Sequence, residues 1–137
     1  MATKKQTKAF ILKTLLPYKE DRSRCAFDGD KCSYLTSSGE KCALGMWLKK
    51  GEWQHEQLTG AALFEKYGKD ILLKPARRVC LDMEDWTLIQ NYHDERAHYN
   101  RLWLLNVIVG RLERSLGIDL PELMYDTKKI RCTRNRL

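Results

Sequence analysis

The run Leu102-Trp103-Leu104-Leu105-Asn106-Val107-Ile108-Val109-Gly110-Arg111-Leu112-Glu113-Arg114-Ser115-Leu116 decides the fold. Leu102, Leu105, Val109, Leu112 and Leu116 recur at helical spacing and form one stripe, while Trp103, Leu104, Val107 and Ile108 make the segment apolar nearly all round. A helix with such a surface belongs in the middle of a fold. We therefore expect a buried central helix over 102–116, with Trp103 in the core and Gly117 ending it. The apolar part, 102–110, is interrupted by Asn106 and is far shorter than the ~20 residues of a bilayer span, so no membrane contact is expected.

Working outward, Asp82 is a good N-cap for a helix from Met83 to about Asp94, with Glu84 and Asp85 favourable in its first turn. Trp86, Ile89 and His93 share one face of that helix, and Gln90 lies four residues before Asp94. Residues 4–16 also read as a helix, with Ala9, Leu12, Leu15 and Leu16 inward, Lys4, Lys5, Lys8 and Lys13 in water, and Pro17 as its stop. Residues 18–30 read as a loop. Cys32 to Thr36 is β-prone, Ser37-Ser38-Gly39 is a turn, and Glu40 to Leu44 returns, which predicts a short hairpin. Glu56 to Tyr67 is helical again and stops at Gly68. Ile71-Leu72-Leu73 is punctuated by Pro75, and Leu120 to Met124 makes one more turn. The expected fold is therefore α+β: a mostly helical single domain around a buried helix near 102–116, with a β-hairpin near 32–44. The domain covers 1–126, and 127–137 is a basic C-terminal tail.

The chain has 137 residues and a net charge of +7, 43% of its residues are apolar and 31% charged, which is the composition of one globular domain. Residues 1–24 carry +5 and residues 127–137 carry +5, so the body between them is −3. Basic ends on a mildly acidic body point to contact arms for phosphates, with Lys128, Lys129, Arg131, Arg134 and Arg136 as the tail's share. The alternative is that terminal charge serves solubility alone. Five cysteines form an odd set, and no long apolar leader follows Lys4, Lys5 and Lys8. A reducing, cytoplasmic compartment is expected, without secretion.

Four groups of residues carry candidate chemistry. Cys25, Cys32 and Cys42 are separated by six and nine residues, too far apart for the close ligand pairs of a zinc knuckle. Cys32 and Cys42 can face each other across the hairpin, or serve as buried small hydrophobes. His93 with Asp94 suits acid–base work, or a Cys42–His93 nucleophile pair, and the alternative is a half-buried histidine at a helix end. The order His55, His93-Asp94, Asp119 (or Asp126) resembles the HD-domain phosphohydrolases, in which such residues surround a divalent metal. Trp53 lies in a polar setting and is either an exposed binding anchor or a lid on the hairpin.

Cys32-Ser33-Tyr34, followed by Gly39-Glu40-Lys41-Cys42-Ala43-Leu44-Gly45, and later Ile89-Gln90-Asn91-Tyr92-His93-Asp94, resembles small uncharacterised phage- and prophage-encoded proteins. These carry Cys-x-Tyr, then Gly-x-x-Cys-Ala-x-Gly, then Leu-Gln-x-x-His-Asp on a helix. Met46-Trp47-Leu48 departs from the Ile-Pro-Asp-like continuation of the family, and the basic tail lies outside its pattern. The resemblance implies a mobile-element origin, a small α+β fold, and a hairpin carrying Cys32, Tyr34 and Cys42 packed near Gln90, His93 and Asp94. It brings no activity with it.

Together these readings favour binding over catalysis. The expected role is that of a phage-type accessory protein engaging a host protein or nucleic acid, without a cofactor, in the host cytoplasm. Tyr34, Gln90 and the five tail cations are the candidate contact residues. The alternative is a small hydrolase using His93 and Asp94 with a metal, or a Cys–His pair. An assembly role through an exposed Met46-Trp47-Leu48 patch is a third class, and the oligomeric state is left open.

Overall fold

The computed structural model describes residues 2–28, 31–32, 34, 40–51 and 59–126. Among the described residues it is built from five α-helices: α1 (Lys4–Glu20), α2 (Gly60–Tyr67), α3 (Lys74–Val79), α4 (Met83–His98) and α5 (Leu102–Leu116). Single 3-10 turns cover Arg22–Arg24, Gly45–Trp47, Lys69–Ile71 and Pro121–Leu123.

Local sequence explains most of the helix ends. Thr3 and Gln6 form a capping box on α1: the Thr3 hydroxyl accepts the Gln6 N–H at 3.1 Å, and Gln6 Oε1 accepts the Thr3 N–H at 2.8 Å. Thr59 and Asp82 cap α2 and α4 through the N–H groups of Ala62 and Asp85. Gly68 and Gly117, at φ 77° and 65°, close α2 and α5. Helix α3 is an element that the sequence pattern does not announce. Pro75 stands in its first turn, where a missing N–H costs nothing, so it starts the helix rather than breaking it.

Helix α1 runs through Pro17 to Glu20 instead of stopping before it. Proline removes one intrahelical bond, and contacts distant in sequence compensate. Tyr18 is buried, and the Arg96 guanidinium of α4 donates to the Tyr18 and Lys19 carbonyls at 2.9 and 3.0 Å. Arg22, just beyond α1, does the reciprocal service: it donates to the Arg96, Ala97 and His98 carbonyls that end α4, at 2.8, 3.1 and 3.4 Å. The C-terminus of α1 is thus capped by an arginine of α4, and that of α4 by an arginine of the turn that follows α1, where a cation also suits the helix dipole.

The centre of the fold is α4, not α5. Helix α4 packs on α5, α1, α2 and the 22–24 turn, and it buries Asp85, Trp86, Leu88, Ile89, Tyr92, His93 and Glu95. It tolerates that burial because its inward polar groups are bonded. Asp85 accepts the Ser115 hydroxyl at 2.6 Å, and Glu95 takes the Arg101 N–H and guanidinium at 2.8–3.1 Å. These contacts tie opposite ends of α4 to opposite ends of α5, so the two run antiparallel across the short 99–101 link. Helix α5 buries Leu105, Ile108, Val109 and Leu112 on one side, but Trp103 and Val107 face solvent, against the expectation of a core Trp103. Each fully buried leucine or isoleucine here contributes about 1.5–3 kcal/mol. Asn106 holds the following chain, its side-chain amide bonding both the N–H and the carbonyl of Tyr125 at 2.7 and 2.8 Å.

The expected α+β class is corrected to all-α. Of the proposed hairpin, residues 33 and 35–39 lie outside the described residues. Its return strand, 40–44, is not a strand: Ala43-Leu44 turns into the 3-10 segment Gly45–Trp47, and the Cys42 carbonyl accepts the Met46 N–H. The extended pairing among the described residues is a two-residue antiparallel ladder of Phe27–Asp28 with Lys31–Cys32, plus a single bridge between Leu48 and Leu72. Such fragments cannot support a sheet layer. Trp47 and Leu48 are buried, which removes the exposed 46–48 patch. Trp47 Nε1–H donates to the buried Thr14 hydroxyl at 2.8 Å, which itself donates to the Phe10 carbonyl.

Candidate functional site

Residues 90, 93 and 94 on α4 face the loop segments 25–26 and 41–45. His93 is fully buried, and its Nε2 accepts the Ala26 backbone N–H at 2.9 Å. A backbone N–H can only donate, so Nε2 carries a lone pair and the ring proton sits on Nδ1. That Nδ1–H faces Asp94 Oδ1 at 2.8 Å. The same Oδ1 accepts from Gln90 Nε2 at 2.9 Å, and Gln90 Oε1 accepts the Leu44 N–H at 3.1 Å. One chain of hydrogen bonds therefore runs from Ala26 through His93, Asp94 and Gln90 to Leu44, latching two loops onto α4.

The rest of the cluster packs around this chain. Cys42 is buried and its Sγ accepts the Gly45 N–H at 3.2 Å. Tyr18 sets its ring edge-on to the His93 ring at 4.8 Å and donates its hydroxyl to the Lys41 carbonyl at 2.5 Å. The Tyr34 carbonyl lies so close to the Gly45 Cα that a Cβ there would overlap it, which accounts for glycine at 45. Burial pushes the Cys42 thiol up to about 12 and the Cys25 thiol up to about 11. Burial also raises the Tyr34 and Tyr18 hydroxyls, with Cys42 adding to both.

This arrangement holds rather than reacts. A cysteine nucleophile needs a thiolate and an imidazole nitrogen free to take a proton. The Cys42 thiol is held protonated at neutral pH, and both His93 nitrogens are engaged. For the same reason His93 offers no lone pair to a metal. Asp119 is exposed beyond the end of α5, where Ser115 meets Asp85, eight residues and about 12 Å along α4 from His93. Asp126 is exposed, and His55 lies outside the described residues. Among the described residues no group of three His, Cys, Asp or Glu side chains is placed to hold a metal ion.

The sequence-derived contact residues divide similarly. Tyr34 is buried and Gln90 is half-buried with both ends of its amide bonded, so neither is presented to a partner. Lys128, Lys129, Arg131, Arg134 and Arg136 lie outside the described residues, as does Trp53; the side chain of Cys32 is likewise not described. Sequence reasoning missed the Arg22–Arg96 exchange, whose only trace is an arginine near the end of each helix. It also missed the outward position of Trp103, for which the i, i+4 pair Trp103–Val107 beside Arg111 was the available signal. Among the described residues no helix is long and apolar enough to cross a membrane. In comparisons with known proteins, no family model, no curated protein and no solved structure matches this chain.

Proposed function

We propose that this chain is a small phage-type accessory protein that acts by binding a host protein or nucleic acid in the host cytoplasm, with its basic end segments as the contact surfaces. The observation that carries this reading is the occupation of the cluster: its thiol, imidazole and carboxylate are engaged in holding loops 25–26 and 41–45, which argues for a scaffold role over a catalytic one. The cationic surface is shaped differently from two free arms. At the N-terminal end it is a rigid helix face, because Phe10, Ile11 and Leu15 pin α1 to the body while Lys5 and Lys13 stay exposed on its outer side; Lys4 leaves the helix on the opposite side, with its ammonium over Gly117. Lys8 is neutralised by Glu122 at 3.1 Å. Fixed cations cost less ordering entropy on binding than mobile ones.

Fluorescence anisotropy with labelled single- and double-stranded oligonucleotides across a salt series tests the nucleic-acid part. Affinity should fall linearly with salt on logarithmic axes. Replacing the five tail cations by alanine should flatten the slope by about one unit for each phosphate no longer neutralised. Absence of binding to either nucleic acid at about 50 mM salt removes that partner class and leaves a protein partner.

A further inference from the structure

The outward face of α5 has a composition that solvent alone does not explain. On α5, Trp103 and Val107 are 59% and 40% exposed and with Arg111 recur every four residues as one ridge opposite the buried Leu105, Val109 and Leu112, while Tyr99, 64% exposed, lies in the link just before the helix. Tyr99 is held in place, with the Arg101 guanidinium 4.7 Å above its ring and the His98 ring 4.6 Å away. Arg114 folds its guanidinium back over Gly110, 3.6 Å from where a Cβ would stand, so its charge joins the same strip. Tryptophan, tyrosine and arginine are the residue types that dominate protein interface energetics.

We propose that this face pairs with a second copy of the chain, the two α5 helices running antiparallel about a two-fold axis at Val107. The sequence of the ridge is self-complementary in that register. Trp103 lies four residues before Val107 and Arg111 four residues after it, so each Trp103 meets Arg111 of the second copy and the two valines meet at the axis. Two reciprocal cation–π contacts then flank an apolar centre. Parallel pairing would set Arg111 against Arg111, and the chain's own tail is as basic as the strip it would have to cover. The exposed side-chain surface of the ridge amounts to roughly 700 Å2 over both copies, below the size of stable specific interfaces, so the pairing is a transient one that forms only toward the upper end of the micromolar range. The pairing does not depend on the nucleic-acid reading.

Sedimentation equilibrium of the full chain from about 1 to 500 μM should show a reversible monomer–dimer transition. Trp103→Ala should weaken dimerisation by about tenfold or more, and Val107→Glu, which sets two carboxylates face to face at the axis, should abolish it. Both positions are on the surface, so each variant should melt like the parent at low concentration. The register is read by Val107→Cys in a Cys32→Ser, Cys80→Ser, Cys132→Ser background, which leaves only the buried Cys25 and Cys42 beside it. Helices packed 8–10 Å apart place seam Cα atoms within disulfide reach, and oxidation should give a covalent dimer. A monomer throughout the range overturns the proposal. So does a dimer that survives Val107→Glu, or a reversible dimer in which the Val107→Cys variant fails to cross-link.

Discussion

Replacing His93 by leucine separates a holding role from a reactive one. The substitution keeps most of the buried volume but leaves the fully buried Ala26 N–H without its acceptor, which costs about 1–3 kcal/mol. The edge-on contact with Tyr18 is worth a further ~0.5–1.5 kcal/mol. Asp94 is 39% exposed and recovers water for its lost partner, so it adds little. The total is a loss of about 2–4 kcal/mol. For a chain of 137 residues the unfolding entropy at the midpoint is about 0.29 kcal/mol/K, so Tm should fall by roughly 7–14 °C. Glutamine at 93 can bring a carbonyl oxygen near the position of Nε2 and should restore about half of the loss. Thermal and urea melts followed by circular dichroism give both numbers. A group kept for reactivity is usually a burden on stability, and its removal is neutral or stabilising. If His93→Leu melts within about 1 °C of the parent, or if glutamine is no better than leucine, the latch is wrong.

Three further outcomes follow from named contacts. Arg96→Ala should cost about 2–3 kcal/mol by uncapping the last carbonyls of α1, and Arg96→Lys should recover only part because a single ammonium cannot span both; equal melting points for parent and alanine variant would refute the cap. With its thiol pushed by burial to about 12, Cys42 has a thiolate fraction about a thousandfold below an ordinary thiol. Its alkylation at pH 8 should therefore track global unfolding while the exposed Cys80 reacts freely, and equal rates by mass spectrometry would overturn this. Burial lifts the Asp85 carboxyl above the ordinary aspartate range, Asp82 adds to the shift, and the Ser115 hydroxyl offsets part of it. A raised folded value means that the contribution is fully present below the unfolded value and is lost as pH rises through the folded one. Asp85→Asn should accordingly gain on the parent as pH rises from about 3 toward neutrality, and a constant difference across that range would refute the assignment.

What could be read from the sequence was what is decided locally. The limits of α5 at Leu102 and Leu116, the stop at Gly117 and the Asp82 cap all rest on residues within one turn of the feature they set. Errors arose where a distant residue decides. Pro17 is a helix stop by local rules, yet α1 continues because Arg96, far along the chain, holds its final carbonyls. Apolar content placed α5 at the centre, whereas α4 takes that place because its histidine, glutamate and aspartate each find a partner inside. The β-prone residues after Cys32 suggested a hairpin, but the Leu44 N–H goes to the Gln90 side chain and not to a strand. For the candidate site, Cys42, Gln90, His93 and Asp94 were identifiable by residue type. Their role was not, because it turns on the Ala26 backbone N–H occupying a ring nitrogen, and a backbone donor leaves no mark in the sequence.

The exchange of arginines between the ends of α1 and α4 couples two chain reversals that are remote in sequence. Neither helix can fray at its C-terminal end without releasing a guanidinium that steadies the other, so the amides of Asp21 and Asn100, which close those ends onto Pro17 and Glu95, should open together and exchange hydrogen at matched rates. A cut in the backbone at either bend would leave the severed pieces riveted to each other.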